Sequence, residues 1–154
     1  MMLSKKAKYG LRAILALAKQ ASERPVLIAD LAEQERIPKK FLELILLELK
    51  NSGILGSKKG KGGGYFLNRP AESISLGEVI RALDGPIAPV PCVSRMAHRT
   101  CDECEDEATC GIRAVMQEVR DATAAILDHA TLTDIVRRTE SMCREKQRIL
   151  TYSI

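Results

Sequence analysis

Four cysteines lie close together in the second half of the chain, at Cys92, Cys101, Cys104 and Cys110, with intervals of eight, two and five residues between them. Thiolates are soft ligands, and four of them suit an iron–sulfur cluster, of the 2Fe–2S or 4Fe–4S type, or a zinc ion. Structural zinc sites usually pair two Cys-x2-Cys knuckles, and this stretch contains one, at Cys101 and Cys104. The spacing therefore favours an iron–sulfur cluster, with zinc as an alternative.

A thiol redox switch without metal is another alternative. Acidic residues lie among the cysteines, and negative charge raises the pKa of a thiol and so disfavours free thiolates. They are Asp102, Glu103, Glu105, Asp106 and Glu107. This favours a metal over a switch. His98 is a spare candidate for a metal ligand beside the four cysteines. The fifth cysteine, Cys143, stands apart on a helix, where we expect a buried small apolar residue.

The charge of the chain is divided between its two halves. Residues 1–70 carry a net charge of +8 and residues 71–154 carry −4, which gives the +4 of the whole chain. A basic half joined to an acidic half indicates that the first half meets a polyanion. No apolar run is long enough for a transmembrane helix, and residues 1–20 lack a signal-peptide pattern. We therefore expect a cytoplasmic protein with no membrane partner.

Hydrophobic periodicity predicts a mainly α chain with one β-hairpin. The expected helices are 4–20, 28–34, 38–51, 75–84, 111–129 and 132–148, and the expected hairpin is 54–67. Pro38 suits a first helical position, and Ser75 with Glu78 has the pattern of a capping box. The order of helix, short helix, turn, helix and hairpin predicts a winged helix–turn–helix.

In such a fold the helix at 38–51 enters the major groove of DNA, where base edges can be distinguished. Lys39, Lys40 and Glu43 lie near its amino-terminal end, away from its apolar face. The lysines suit phosphates or guanine, and the carboxylate suits a cytosine amino group. The hairpin predicts a basic, glycine-rich wing for phosphates or the minor groove. Its expected DNA-binding residues are Lys58, Lys59, Lys61, Gly62, Gly63 and Tyr65.

Three further observations bear on this interpretation. A nucleotide-binding loop is disfavoured because no Gly-Lys-Ser/Thr ending follows the glycine run. Arg36 occupies the turn position where glycine is common, which counts against a strict helix–turn–helix. Since Tyr65 and Phe66 alternate, one of them is expected to anchor the wing on the core.

The sequence contains no nucleophile motif or catalytic pairing, so we expect that the protein is not an enzyme.

Four segments resemble the Rrf2 family of bacterial regulators, which includes the IscR, NsrR, RirA and CymR types. They are LSKKAKYGLRAILALA, IADLAEQERIPKKFLELILLELKNSGIL, KGKGGGYFL and ISLGEVIRALDG. The resemblance covers nearly the whole chain and implies homodimers, joined by a long helix at 111–129, that read palindromic operators in double-stranded DNA. We assign 1–85 to a winged helix–turn–helix DNA-binding domain, 86–110 to a cysteine-rich cluster-binding loop, and 111–154 to a dimerisation helix and a C-terminal helix.

The resemblance also concerns the ligands. Cluster-binding members of the family have three cysteines in this loop, the last two separated by five residues. Cys104 and Cys110 match that spacing, and Cys92 matches the first position. Cys101 is extra. The set Cys92, Cys101 and Cys110, with Cys104 spare, is the other possible alignment.

This chain departs from its relatives at the fourth ligand. The IscR type has a His three residues after its last cysteine, where this chain has Arg113. The NsrR type uses an acidic residue near the start of the first helix, where this chain has Lys8. Neither family solution for a fourth ligand is therefore available, and Cys101 is the obvious replacement, which would make the site all-cysteine.

The sequence thus predicts a homodimeric repressor-type regulator whose operator affinity is controlled by an iron–sulfur cluster, which would report iron, redox or cluster status. The alternative is a cluster-free regulator of the cysteine-metabolism type. Such a regulator would respond to a partner metabolic enzyme, to zinc or to thiol oxidation.

Overall fold

Helices dominate the computed structural model, which describes residues 2–20 and 24–153. In these residues the helices are α1 (Lys5–Lys19), α2 (Ile28–Glu35), α3 (Lys39–Asn51), α4 (Leu76–Asp84), α5 (Gly111–His129) and α6 (Leu132–Tyr152). Strands β1 (Leu55–Lys58) and β2 (Gly64–Leu67) pair antiparallel between α3 and α4. The predicted mainly α architecture with a hairpin wing is confirmed. α6 continues past the predicted end at position 148 to Tyr152.

The core lies where α1 packs against α3 and α4. Gly10 permits this approach, because a Cβ at position 10 would lie 2.2 Å from Leu83 Cδ1 and 3.1 Å from Ile45 Cγ2. Apolar residues at helical spacing point inward from α1, α2, α3 and α4, which is the periodicity that predicted these helices. The largest fully buried side chains are Ile14, Leu31, Leu42, Ile45, Leu46, Leu49, Ile54, Leu55, Ile74, Val79, Val93 and Leu132.

The turn between α2 and α3 forms without glycine. Arg36 adopts the left-handed conformation, with φ 53° and ψ 48°, and its N–H donates to the carbonyls of Ala32 and Glu33. A side chain in this conformation costs about 1–2 kcal/mol, so Arg36 lowers stability but keeps the turn. Pro38 precedes α3 as its N-cap, and the prediction that it is the first helical residue is wrong by one position. Its ψ of 125° is extended, so the helix begins at Lys39.

The starts of α4 and α6 are fastened to each other. Ser75 caps α4 by accepting the N–H of Glu78 at 3.1 Å. The Glu78 carboxylate pairs with Arg69, so the predicted capping box is only half formed. Thr131 and Asp134 form a complete capping box at the start of α6. Ser75 and Thr131 also form an isolated β-bridge, which ties the start of α6 to the start of α4.

The later turns of α6 extend away from this core. Residues 140–153 are all exposed in the single chain. Cys143 is among them, so the prediction that it is a buried apolar residue is wrong. The physical reason is that α6 packs against α1 and the short 3₁₀ helix Ala71–Ser73. These neighbours cover only the first half of α6.

Candidate nucleic-acid interface and cysteine site

The outward face of α3 is open to solvent. Leu42, Ile45, Leu46 and Leu49 are buried on the inner face. Lys39, Lys40 and Glu43 are exposed on other faces, as the sequence predicts. Their contact with DNA stays a prediction.

Two exposed leucines share the outward face of α3. The side chains of Leu44 and Leu47 are 59% and 46% exposed. They lie at helical spacing with Lys40 and Asn51, so the four side chains form one stripe. We call this the recognition stripe. The sequence-based site did not include these leucines.

The wing is held to the body by backbone pairing. Tyr65 and Val26 exchange N–H to carbonyl hydrogen bonds of 2.9 Å each, and the Tyr65 side chain packs against the core. Phe66 lies over Gly56 on the other face of the hairpin. Tyr65 is therefore the anchor that the alternation predicts. Gly64 makes the pairing possible, because it has φ +142° and a Cβ there would lie 2.2 Å from the Val26 carbonyl oxygen.

The wing tip presents positive charge to solvent. Lys58, Lys59, Lys61 and Gly62 are exposed, and Gly63 is buried against the Lys58 carbonyl oxygen. The Gly63 N–H donates to the Gly60 carbonyl at 3.0 Å and closes the turn. The tip is therefore thin and cationic, which suits a phosphate backbone.

Cations on α1 lie beside the start of α3. Tyr9 packs edge-on against Phe41, with ring centroids 5.6 Å apart. Lys5 Nζ and Arg12 Cζ lie 5.6 and 5.9 Å from the Tyr9 ring centroid. Sequence reasoning missed these two cations, since only the packing of Tyr9 on Phe41 brings α1 to the amino-terminal end of α3.

All four predicted cysteine ligands line one cavity of about 530 Å³. Cys92 is buried in the short 3₁₀ helix Pro91–Val93, Cys101 is exposed, and Cys104 and Cys110 are half-buried. Arg99 and Arg113 also line the cavity. Among the described residues, no three side chains of the types that ligate metals are already gathered at one point. The fold therefore brings the thiols to a common space without fixing them in a ligand geometry.

Cys110 begins α5 as its N-cap. Its sulfur accepts the backbone N–H of Arg113 at 3.4 Å, and this hydrogen bond is the main reason that the pKa of Cys110 is lowered. Partial burial and the hydrogen bond with Cys110 raise the pKa of Cys104. The prediction that acidic neighbours raise the thiol pKa values is wrong for Cys110, because a helix amino terminus favours the thiolate.

Two of the acidic residues are occupied elsewhere. Asp106 accepts the N–H of Ala108 at 3.0 Å, which lowers the pKa of Asp106. The Glu107 carboxylate lies 3.1 Å from His98 Nε2 and 3.7 Å from Arg113 Nε. His98 therefore has a carboxylate partner and is not among the residues lining the cavity.

Arginines of α5 hold the Cys92 segment. Arg113 Nε donates to the Cys92 carbonyl at 3.3 Å. Arg120, only 9% exposed, donates to the Val93 carbonyl and pairs with Asp121 at 2.6 Å. Since Cys110 begins α5, this helix contacts both ends of the cysteine stretch.

The opposite face of α5 is apolar and exposed. Ile112, Val115, Val119 and Ile126 are 74%, 54%, 45% and 70% exposed, and they follow one line along the helix. We call this the α5 stripe.

In residues 2–20 and 24–153, the helices are too short or too polar to cross a membrane.

The comparisons with known proteins agree with this geometry. The model of the Rrf2 family, described as an iron-dependent transcriptional regulator, matches residues 3–138. The chain belongs to the Rrf2 family. An rrf2-like HTH-type transcriptional regulator of Rhodobacter capsulatus is 43% identical over 138 residues, 88% of this chain and 92% of that protein.

Two other Rrf2 relatives represent different types. CymR of Bacillus subtilis is 33% identical over 91% of this chain and 93% of its own length. IscR of Escherichia coli is 31% identical over 91% of this chain and 83% of its own length. Both are HTH-type transcriptional regulators, so this chain is an Rrf2-family transcription regulator.

Solved structures support the same assignment. CymR, the global cysteine regulator of B. subtilis, superposes with a TM-score of 0.73 at 31% identity, covering 90% of this chain and 98% of that one. IscR of T. potens superposes with a TM-score of 0.72 at 26% identity, covering 92% and 90%. The predicted family and the predicted winged-helix fold are thereby confirmed.

Proposed function

We propose that this Rrf2-family regulator binds palindromic operator DNA as a homodimer, with an affinity controlled by an iron–sulfur cluster. The ligands would be Cys92, Cys101, Cys104 and Cys110. The observation that carries the proposal is that these four thiols line one cavity at the amino-terminal end of α5. The description of the family as iron-dependent supports the choice of metal.

The donor set fits such a group. Four thiols are soft ligands, and they line a cavity of about 530 Å³. Arg99 and Arg113 line it together with Asp102 and Glu103, so the other charged side chains of the cavity balance one another. Cys110 already has a lowered pKa, which favours the ligating form. When bound, such a group supplies metal–thiolate bonds that depend on iron supply and oxidation state.

The residues around the cavity suggest how the loop acts on DNA binding. The loop 86–110 joins α4, in the DNA-binding domain, to α5. Cys92 is tied to α5 through Arg113, and Cys110 is the N-cap of α5. Ligation of both ends would restrain the angle between α5 and the DNA-binding domain. A tenfold change in operator affinity requires only about 1.4 kcal/mol of coupling.

The homodimer rests on the α5 stripe. An apolar line on a 19-residue helix is costly to leave in water, and a second copy of the same helix would cover it. A dimer also presents two α3 helices to two half-sites, which one winged helix alone cannot do. Lys39, Lys40 and Glu43 of α3, with the exposed wing residues Lys58, Lys59, Lys61 and Gly62, are the proposed DNA contacts. Gly63, which is buried, and Tyr65, which packs against the core, would instead hold the wing in position.

The test is anaerobic purification with absorption spectroscopy and iron, sulfide and zinc analysis. Visible charge-transfer bands with matched iron and sulfide are expected. Each of the four cysteines is then replaced by Ala, with Cys143→Ala as the matched control outside the cavity. Operator affinity of loaded and cluster-free protein is compared. Colourless protein after anaerobic reconstitution, or equal affinities, would contradict the proposal.

A second candidate function is regulation without a cluster, through a partner metabolic enzyme, zinc or thiol oxidation. The similarity to CymR favours this function. Cys101 also favours it, because this cysteine is exposed and, among the described residues, the thiols are not yet gathered in a ligand geometry. In that case colourless protein binds the operator, and its affinity changes on addition of zinc, an oxidant or a partner.

A further inference from the structure

The recognition stripe on α3 is unusual in its chemistry. Two of its four side chains, Leu44 and Leu47, are apolar and about half exposed, although they lie on the outward face of a helix. The core does not require them, because α3 buries Leu42, Ile45, Leu46 and Leu49 on its opposite face. Their apolar surface is therefore available for a partner.

The surroundings of the stripe identify the class of partner. Lys40 lies one turn before Leu44, and Lys39 lies beside it. The α1 cations Lys5 and Arg12 lie over Tyr9, which packs on Phe41, about one turn before Leu44. An apolar stripe framed by positive charge suits a surface that is negative at its edges and apolar at its centre.

The major groove of DNA provides such a surface at thymines. Phosphates flank the groove, and the C5-methyl of thymine is the apolar group among the base edges. We infer that Leu44 and Leu47 determine sequence specificity by packing against thymine methyl groups in each operator half-site. This inference adds to the proposed DNA binding and does not depend on the cluster.

The helical spacing constrains where the thymines lie. Leu47 is the third residue after Leu44, a rise of about 4.5 Å along the helix. The rise between base pairs is about 3.4 Å. The two leucines therefore contact the methyl group of one thymine, or the methyl groups of thymines on neighbouring base pairs, next to the position that Lys40 approaches.

The experiment removes single methyl groups from the DNA. A binding motif is selected from a random duplex library with the full-length protein, and each thymine of the motif is then replaced by deoxyuridine. At one or two positions this change is expected to weaken wild-type binding about three- to fivefold, the equivalent of one buried methyl. Deoxyuridine at thymines outside the motif is the matched DNA control.

The matching protein variants are L44A and L47A. Each variant should bind the thymine-containing motif more weakly than wild type, and deoxyuridine at the position that the missing leucine contacts should no longer weaken its binding. Its weak affinity for unrelated DNA should stay unchanged. Leu44→Met should retain part of the methyl effect. Because both side chains are exposed, thermal unfolding should be unaffected.

Several outcomes would overturn the inference. If no deoxyuridine in the selected motif weakens binding, the role of the leucines is overturned, but DNA binding itself is not. The role of the leucines is also overturned if deoxyuridine weakens binding by L44A and L47A as much as it weakens wild-type binding. The same holds if these variants change the oligomeric state in the absence of DNA. If the wild-type chain selects no motif, DNA binding itself fails, and this inference fails with it.

Discussion

Arg120, a nearly buried residue of α5, donates a hydrogen bond to the carbonyl of Val93, the residue after Cys92. Removal of the guanidinium leaves this carbonyl without its partner inside the protein. Arg120→Ala is therefore expected to lower the free energy of unfolding by about 1–3 kcal/mol. Amide exchange of residues 92–94 should accelerate by more than that of the α1–α3 core, as measured by hydrogen–deuterium exchange.

The matched control for this prediction is Arg95→Ala. Arg95 pairs with the same Asp121 carboxylate at 3.0 Å, but its side chain is 75% exposed. Exposed ion pairs contribute about 0–1 kcal/mol, so this variant should behave almost as wild type. Equal losses in the two variants would argue against a special role of Arg120 in holding the Cys92 segment.

Gly64 is expected to be essential for the position of the wing. An Ala side chain there would meet the Val26 carbonyl and would require a backbone conformation that L residues rarely adopt. Gly64→Ala should break the pairing of Tyr65 with Val26, lower stability by about 1–3 kcal/mol and weaken DNA binding. Gel-shift titration and urea unfolding are the measurements.

Gly60→Ala provides the comparison at the tip of the same wing. Gly60 has φ +90°, but a Cβ there would have no neighbour within 4 Å. Its cost is limited to the conformation, about 1–2 kcal/mol. If Gly60→Ala weakened DNA binding as much as Gly64→Ala, the anchor at Val26 would not be the decisive contact.

Val119 lies in the middle of the α5 stripe and is 45% exposed in the single chain. Val119→Asp should convert the proposed dimer to a monomer in light-scattering measurements and reduce affinity for a palindromic site by about tenfold or more, since burial of an unpaired carboxylate is costly. Gln117→Asp adds the same charge on another exposed face of the helix and should leave the dimer intact. A dimeric Val119→Asp variant would refute the assignment of the α5 stripe.

The pairing of Arg81 with Asp128, at 2.6 and 2.9 Å, joins α4 to α5. Its hydrogen bonds lower the pKa of Asp128. A carboxylate whose pKa is lowered by folding stabilises the fold above its unfolded pKa of about 3.9, and this contribution is lost as the pH falls through the folded pKa. The effect should be small, because the Asp128 side chain is 42% exposed.

Urea unfolding between about pH 7 and about pH 3 tests this dependence. Asp128→Asn should be slightly less stable than wild type near neutral pH, and the difference should shrink in acid. Glu118→Gln, which removes an exposed carboxylate of the same helix, is the control. A difference that is constant across the pH range would show that Asp128 acts through packing rather than charge.

Local sequence determined the elements. Ser4, Ser75 and Thr131 are capping residues, and each precedes a helix that begins at the next residue. The apolar period identified the buried faces of α1 to α4, and the glycine-rich segment identified the hairpin. In α5 the same period marks a face that is exposed in the single chain. These features depend on residues within one or two turns of each other, so no tertiary information was needed. The four cysteines were likewise recognisable by type and spacing.

Tertiary structure decided which of these residues meet. Arg120 has the sequence features of a surface cation, yet it is buried because the Val93 carbonyl lies beside α5. Cys143 has the features of a buried residue, yet no neighbour in the described chain covers it. Glu78 pairs with Arg69 instead of completing a capping box. Each outcome depends on a partner supplied by the packing of separate elements, and periodicity along one element carries no information about that partner.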